Sequence, residues 1–145
     1  MFNHILTVCV GNICRSPTAE CLLHQQLASR GITVSSAGLG ALVGKPMDAT
    51  AHALLAEHGY EWQDHRARQL QPQHLHNADL ILVMEHEHSQ AILKMAPEAR
   101  GKVFLLGKWL GDMDIPDPYR QSNAMYQHVY DLIQQATDGW LKKLG

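Results

Sequence analysis

The apolar run Ile5–Val10 (ILTVCV) stops at Gly11-Asn12 and gives way almost at once to Ser16-Pro17. Serine followed by proline suits the opening of a helix, because the hydroxyl can cap free amides and proline fits the first helical turn. A strand, a tight turn and a helix in such close succession commit this stretch to a β-α unit with a buried strand.

The remaining sequence repeats that alternation. Pro17–Ser29 predicts a helix with Ala19, Leu22, Leu23 and Leu27 on one side, ended by Gly31, and Ile32–Ser36 predicts a short strand. Ala49–His58 predicts a helix that stops at Gly59. Leu80–Met84 (LILVM) is a continuous apolar run, as expected of a strand covered on both faces. Glu85–Met95 then reads as helix, Val103–Leu106 as strand and Ala124–Leu144 as helix. The last helix carries Met125, Val129, Leu132, Ile133, Ala136, Trp140 and Leu144 at helical spacing, a stripe that reads as core packing. Four strands separated by helices predict an α/β fold. The expectation is a single domain over residues 1–145, with a four-stranded parallel sheet and helices on both faces, a Rossmann-like three-layer arrangement. Ligands of such sheets bind beyond the carboxyl ends of the strands, which is where Cys9 to Ser16 falls.

Composition narrows the function classes. A net charge of -2 and a pI near 6.5 give no electrostatic case for nucleic acid or an anionic membrane surface. No apolar stretch is long enough for membrane insertion. The apolar N-terminus lacks the basic flank of a signal peptide, so the expected location is cytoplasmic. The three cysteines, Cys9, Cys14 and Cys21, are odd in number and clustered, unlike a secreted disulfide framework. His74/His76 and His86/His88 are spaced by two, which does not place either pair on one helix face, so the histidines read as surface residues and no metal site is expected.

The stretch CVGNICRS gathers what attack on a phosphorus ester needs. A cysteine attacks as the thiolate, and consecutive backbone amides, a helix N-terminus and the Arg15 cation all favour an anionic sulfur at Cys9. Gly11 and Asn12 are residue types that tolerate left-handed backbone angles, so the turn can curl its amides toward one centre. Arg15 can grip two phosphoryl oxygens at once. Ser16 suits the helix N-cap, and its hydroxyl can donate to the sulfur. The candidate anion cradle is therefore Val10, Gly11, Asn12, Ile13, Cys14, Arg15 and Ser16, with Cys9 as nucleophile.

At these residues the chain resembles the low-molecular-weight protein tyrosine phosphatases, and within them the bacterial type acting on exopolysaccharide and capsule tyrosine kinases. The similarity takes in Ser35-Ser36-Ala37-Gly38, His65 with Ala67-Arg68-Gln69, and Asp117-Pro118-Tyr119. The resemblance implies Cys9 as nucleophile, Arg15 as binder of phosphate and transition state, and Asn12, Ser16, Ser36 and His65 as a network holding the loop in shape. It implies no cofactor and a phosphotyrosine protein as partner, a bacterial tyrosine kinase foremost; a monomer is the default expectation. A reversible Cys9–Cys14 disulfide is also implied by the resemblance. Cys21 reads as buried packing.

Loss of a phenolate needs a proton donor, and Asp112, Asp114 and Asp117 are all available on the residues alone. The DPY match selects Asp117, between Pro116 and Pro118, as the general acid, with Tyr119 flanking the substrate ring. Relatives often carry a second aromatic where Arg120 stands. Leu39 to Gly44 suggests a mobile apolar lip, with Leu39 or Leu42 meeting the ring; simple loop packing accounts for those leucines equally well. Three alternatives share the fold. Arsenate reductases need redox cysteines downstream, and none follows Cys21. Protein-arginine phosphatases carry threonine where Ile13 stands. A non-catalytic phosphotyrosine-binding module would need neither nucleophile nor acid.

Overall fold

The computed structural model describes residues 2–145. Four strands form one all-parallel sheet in the order β2-β1-β3-β4: β1 His4–Cys9, β2 Thr33–Gly38, β3 Leu80–Val83 and β4 Val103–Leu105. The five α-helices are α1 Arg15–Leu27, α2 Ala49–Glu57, α3 Pro72–Asn77, α4 His86–Met95 and α5 Asn123–Leu144. The fold is the expected one, with ends shifted by one or two residues at most elements.

Alternation along the strands sorts side chains into two cores. Ile5 and Cys9 of β1, with Leu80 and Leu82 of β3, join the cluster built from α1, α2 and α5. Leu6 and Val8, with Ile81 and Val83, join the opposite cluster, which includes Leu75 of α3 and Ile92 of α4. Both β1 and β3 are buried along nearly their whole length, which explains their unbroken apolar sequences. The Trp140 indole N–H, donating to the carbonyls of Leu105 and Leu106, ties α5 to the end of β4.

Two differences from the sequence reading stand out. The helix α3 escapes the sequence reading because its six residues carry one buried apolar side chain, Leu75, and so show no periodicity. Its markers are local: Pro72 in the first turn, and a reciprocal cap between Gln71 and His74. Strand β2 runs on to Gly38, two residues further than expected, because Gly38 pairs with Cys9 at the end of β1.

Gly38 is there for want of space. A Cβ at this position would lie 2.3 Å from the Val10 carbonyl oxygen and 3.0 Å from the Asn12 Cβ, inside the turn that follows β1. Backbone cannot retreat cheaply, so Gly38→Ala will destabilise the protein by about 1–3 kcal/mol, the usual range for overpacking. Urea denaturation will measure it; an unchanged midpoint would show that the turn yields.

Candidate active site

The site is built at the carboxyl end of β1, between its neighbours β2 and β3, where the sheet order reverses. Cys9 is the last residue of β1, and α1 begins at Arg15. Between them Asn12 takes a left-handed backbone with φ 58°. The sequence allowed either Gly11 or Asn12 that role; only Asn12 adopts it. Ser16 is likewise not the N-cap. That place belongs to Cys14, with no side-chain cap, so the first-turn amides of α1 remain available to an anion.

Ser16 faces the sulfur instead. Its Oγ lies 2.9 Å from Cys9 Sγ, and once the sulfur is a thiolate only the hydroxyl can donate. The Asn12 amide spends both hydrogens, one on Ser16 Oγ at 2.8 Å and one on Ser36 Oγ at 2.9 Å. Ser36 Oγ donates to Glu20 Oε1 at 2.6 Å, while Ser16 Oγ, which accepts from Asn12, keeps its own hydrogen for the sulfur, where it favours the anion. Asn12 Oδ1 accepts from the Arg68 backbone N–H at 2.9 Å, and His65 Nε2 lies 2.7 Å from the Asn12 carbonyl, to which it must donate. The polar residues Asn12, Ser16 and Ser36 are buried, and satisfied in this way they hold the loop rigidly. Burial raises the Glu20 carboxyl above its ordinary range and lowers the His65 imidazole below its own, each partly opposed by its hydrogen bond. His65 Nδ1 is 4.0 Å from Glu20 Oε1. Sequence reasoning missed Glu20, although it stands one helical turn after Ser16, on the same side of α1.

Arg15 is 2% exposed and is held from one side. Its Nη1 donates to the Glu85 carboxylate and to the Ile115 carbonyl, while Nη2 stands 3.8 Å from Asp117 Oδ2. Glu85 was missed because it stands beside His86 and His88, whose spacing raised only the question of a metal site. Its place just past the buried strand LILVM, beside the end of β1, was the available signal. His88 is not a surface histidine as expected. It is a buried residue of the first turn of α4, and its Nδ1 accepts the Glu85 backbone N–H at 3.2 Å. Burial, and then the Arg15 charge, lowers its proton affinity. Among the described residues no group of three His, Cys, Asp or Glu side chains is arranged to hold a metal ion.

The acid loop follows β4 and reaches the pocket from that edge of the sheet. Ile115 N–H donates to the Met84 carbonyl at 2.8 Å, and Asp114 Oδ1 accepts from the His86 backbone N–H at 2.9 Å. These contacts bring Asp117 and Tyr119 opposite Cys9. The resulting cavity, about 200 Å³, is lined by Cys9 to Arg15 together with Gly40, Leu42, Asp117 and Tyr119. Leu39 does not line it. Its side chain packs on the second core, because strand alternation continues past Gly38. Nor is the lip loose: Leu39, Gly40 and Leu42 donate to the carbonyls of Cys9, Val10 and Gly11 at 2.9, 3.0 and 3.1 Å. Gln69 clamps the lip further through Ala41 N–H and the Leu39 carbonyl. Cys14 is a free, buried thiol on the pocket wall; burial and then the adjacent Cys9 sulfur push its pKa far up, so it stays neutral beside the nucleophile position. Cys21 lies in the first core, as expected of packing.

Comparisons with known proteins agree with this geometry. The low molecular weight protein-tyrosine-phosphatase Wzb of Escherichia coli K12 is 50% identical over 144 residues, 99% of this chain and 97% of that protein. The structure of the tyrosine phosphatase Wzb from Escherichia coli K30 in complex with sulphate superposes with a TM-score of 0.95 at 43% identity, over 100% of both chains. The YwlE arginine phosphatase from Geobacillus stearothermophilus shares the fold at a TM-score of 0.90 and 36% identity, over 97% of this chain and 92% of that one. A family described as low molecular weight phosphotyrosine protein phosphatase matches residues 4–145, and this chain belongs to it.

Proposed function

We propose that this protein-tyrosine-phosphatase works by double displacement through a cysteinyl-phosphate on Cys9, with Arg15 binding the phosphoryl group and Asp117 as general acid. What carries the reading is the convergence of Cys9, the uncapped start of α1, Arg15 and Asp117 on one small cavity. The phosphate of the substrate sits among the loop amides and the Arg15 guanidinium, with its ring between Leu42 and Tyr119. The Cys9 thiolate attacks phosphorus as Asp117 gives its proton to the departing phenolic oxygen. Asp117 then takes a proton from the water that cleaves the sulfur–phosphorus bond, so one carboxyl serves both steps. Ile13 on the pocket wall favours an aryl group over a guanidinium, since an aliphatic side chain offers no acceptor to N–H donors.

The substrate we assign is a phosphotyrosine protein, and for the bacterial branch of the family a tyrosine kinase of polysaccharide export, met by a cytoplasmic monomer. No described helix is long and apolar enough to cross a membrane. Asp117→Asn tests the acid. Turnover of phosphotyrosine, with its basic leaving group, should fall by about 10²- to 10⁴-fold. An aryl phosphate with a strongly acidic phenol should lose far less. Equal losses on both would remove Asp117 from the role of acid, and comparable rates on phosphoarginine and phosphotyrosine peptides would overturn the choice of substrate.

A further inference from the structure

Eight large hydrophobic side chains are exposed among the described residues, and four of them belong to one place. Val10, Leu42 and Tyr119 line the mouth of the cavity, and Val43, 67% exposed, follows Leu42 on the same clamped lip. Exposed apolar side chains gathered around one cavity mouth mark a surface that a ligand can cover. Across the mouth the surface changes character. Arg120 has a left-handed backbone, φ 63°, within a turn closed by Gln121 N–H on the Pro118 carbonyl at 2.8 Å. Its guanidinium carbon stands 5.3 Å from the centre of the Tyr119 ring, and it forms no ion pair among the described residues. Stacking on the aromatic face holds a free cation at the pocket edge.

We propose that this rim reads the residues beside the phosphotyrosine, taking a branched aliphatic side chain on the Leu42–Val43 lip and a carboxylate at Arg120. The inference rests on the phosphotyrosine reading and narrows its substrate class. A cavity of about 200 Å³ has room for a phosphate and one ring, so the flanking residues of any protein substrate must cross the rim. Because backbone hydrogen bonds hold the lip in place, little order is lost when a substrate covers it. The two sides of the mouth differ, apolar on one and cationic on the other, so the matching segment is asymmetric: an aliphatic residue on one side of the phosphotyrosine and Asp or Glu on the other.

The test compares kcat/KM on four phosphotyrosine peptides, each rate divided by that on phenyl phosphate. The flanks are Leu and Asp in either order, Ser on both sides, and Leu with Lys. One Leu/Asp order should exceed the Ser peptide by roughly tenfold. Arg120→Glu should lower that ratio by about fivefold and raise the ratio for the Lys peptide. Val43→Ser should cut the gain from Leu and leave the gain from Asp. Equal ratios on all four peptides, or an Arg120→Glu enzyme that fails to favour Lys, would overturn the rim proposal alone. Hydrolysis of phenyl phosphate with no hydrolysis of any peptide would instead overturn the phosphotyrosine reading beneath it.

Discussion

Cys9→Ser will abolish turnover of aryl phosphates, a loss of at least about 10⁴-fold, while inorganic phosphate and vanadate still bind. The two halves of that result come from different parts of the loop. Attack needs an anion at the end of β1, and a serine hydroxyl does not ionise there as a thiol does. On the proposed mechanism oxyanion binding comes from the amides of the turn, the free first turn of α1 and Arg15, none of which the substitution touches. The hydroxyl of Ser16 donates to either atom, so the network through Asn12 to Glu20 keeps its shape. Titration of the variant with vanadate, followed by protection from heat, measures the retained half. Turnover at the parental rate would remove Cys9 from the chemistry, and loss of vanadate binding would show that the sulfur itself shapes the cradle.

The second large effect is at Arg15. Arg15→Ala should lower kcat/KM by about 10³- to 10⁵-fold, the range found when a guanidinium that binds the transferred phosphoryl group is removed. Part of the loss is a missing charge and part is a missing fork of parallel donors, so Arg15→Lys separates the two. Lysine restores the cation without the planar geometry and should recover only a small fraction of the activity. Vanadate should weaken more than phosphate in both variants, because the guanidinium is aimed where charge develops in the transition state. The Glu85 carboxylate loses its partner in Arg15→Ala, so thermal unfolding must be followed beside the kinetics. An Arg15→Lys enzyme as active as the parent would show that charge alone suffices.

Much of this was legible in the sequence, for identifiable reasons. Strands β1 and β3 are buried on both faces and therefore write themselves as apolar runs. The loop from Cys9 to Ser16 was legible as a candidate site because the proposed nucleophile, turn residues, cation and helix start lie within eight consecutive positions. Residues that support the loop from afar left no such trace. Glu85 meets Arg15 across 70 positions, and Arg68 meets Asn12 across 56, distances that only the sheet order brings together. Leu39 and Leu42 were indistinguishable as letters. Their opposite fates follow from strand alternation running past Gly38 and from a lip clamped by Gln69. The buried His88 was misread because its capping bond to Glu85 is local geometry that a histidine count cannot reveal.

Alternation along β1 has a further consequence. Ile5 and Cys9 face the layer of α1 and α5, while Leu6 and Val8 face the other, and both layers accept aliphatic side chains equally well. Inserting or deleting one residue within His4–Cys9 would therefore leave the strand apolar in sequence but turn the thiol to the wrong side of the sheet. Two positions hold the reading frame of this strand: Thr7, whose buried hydroxyl donates to the Ser16 carbonyl, and the thiol at its last position, so a slipped chain would bury an unpaired hydroxyl as well as misplace the sulfur.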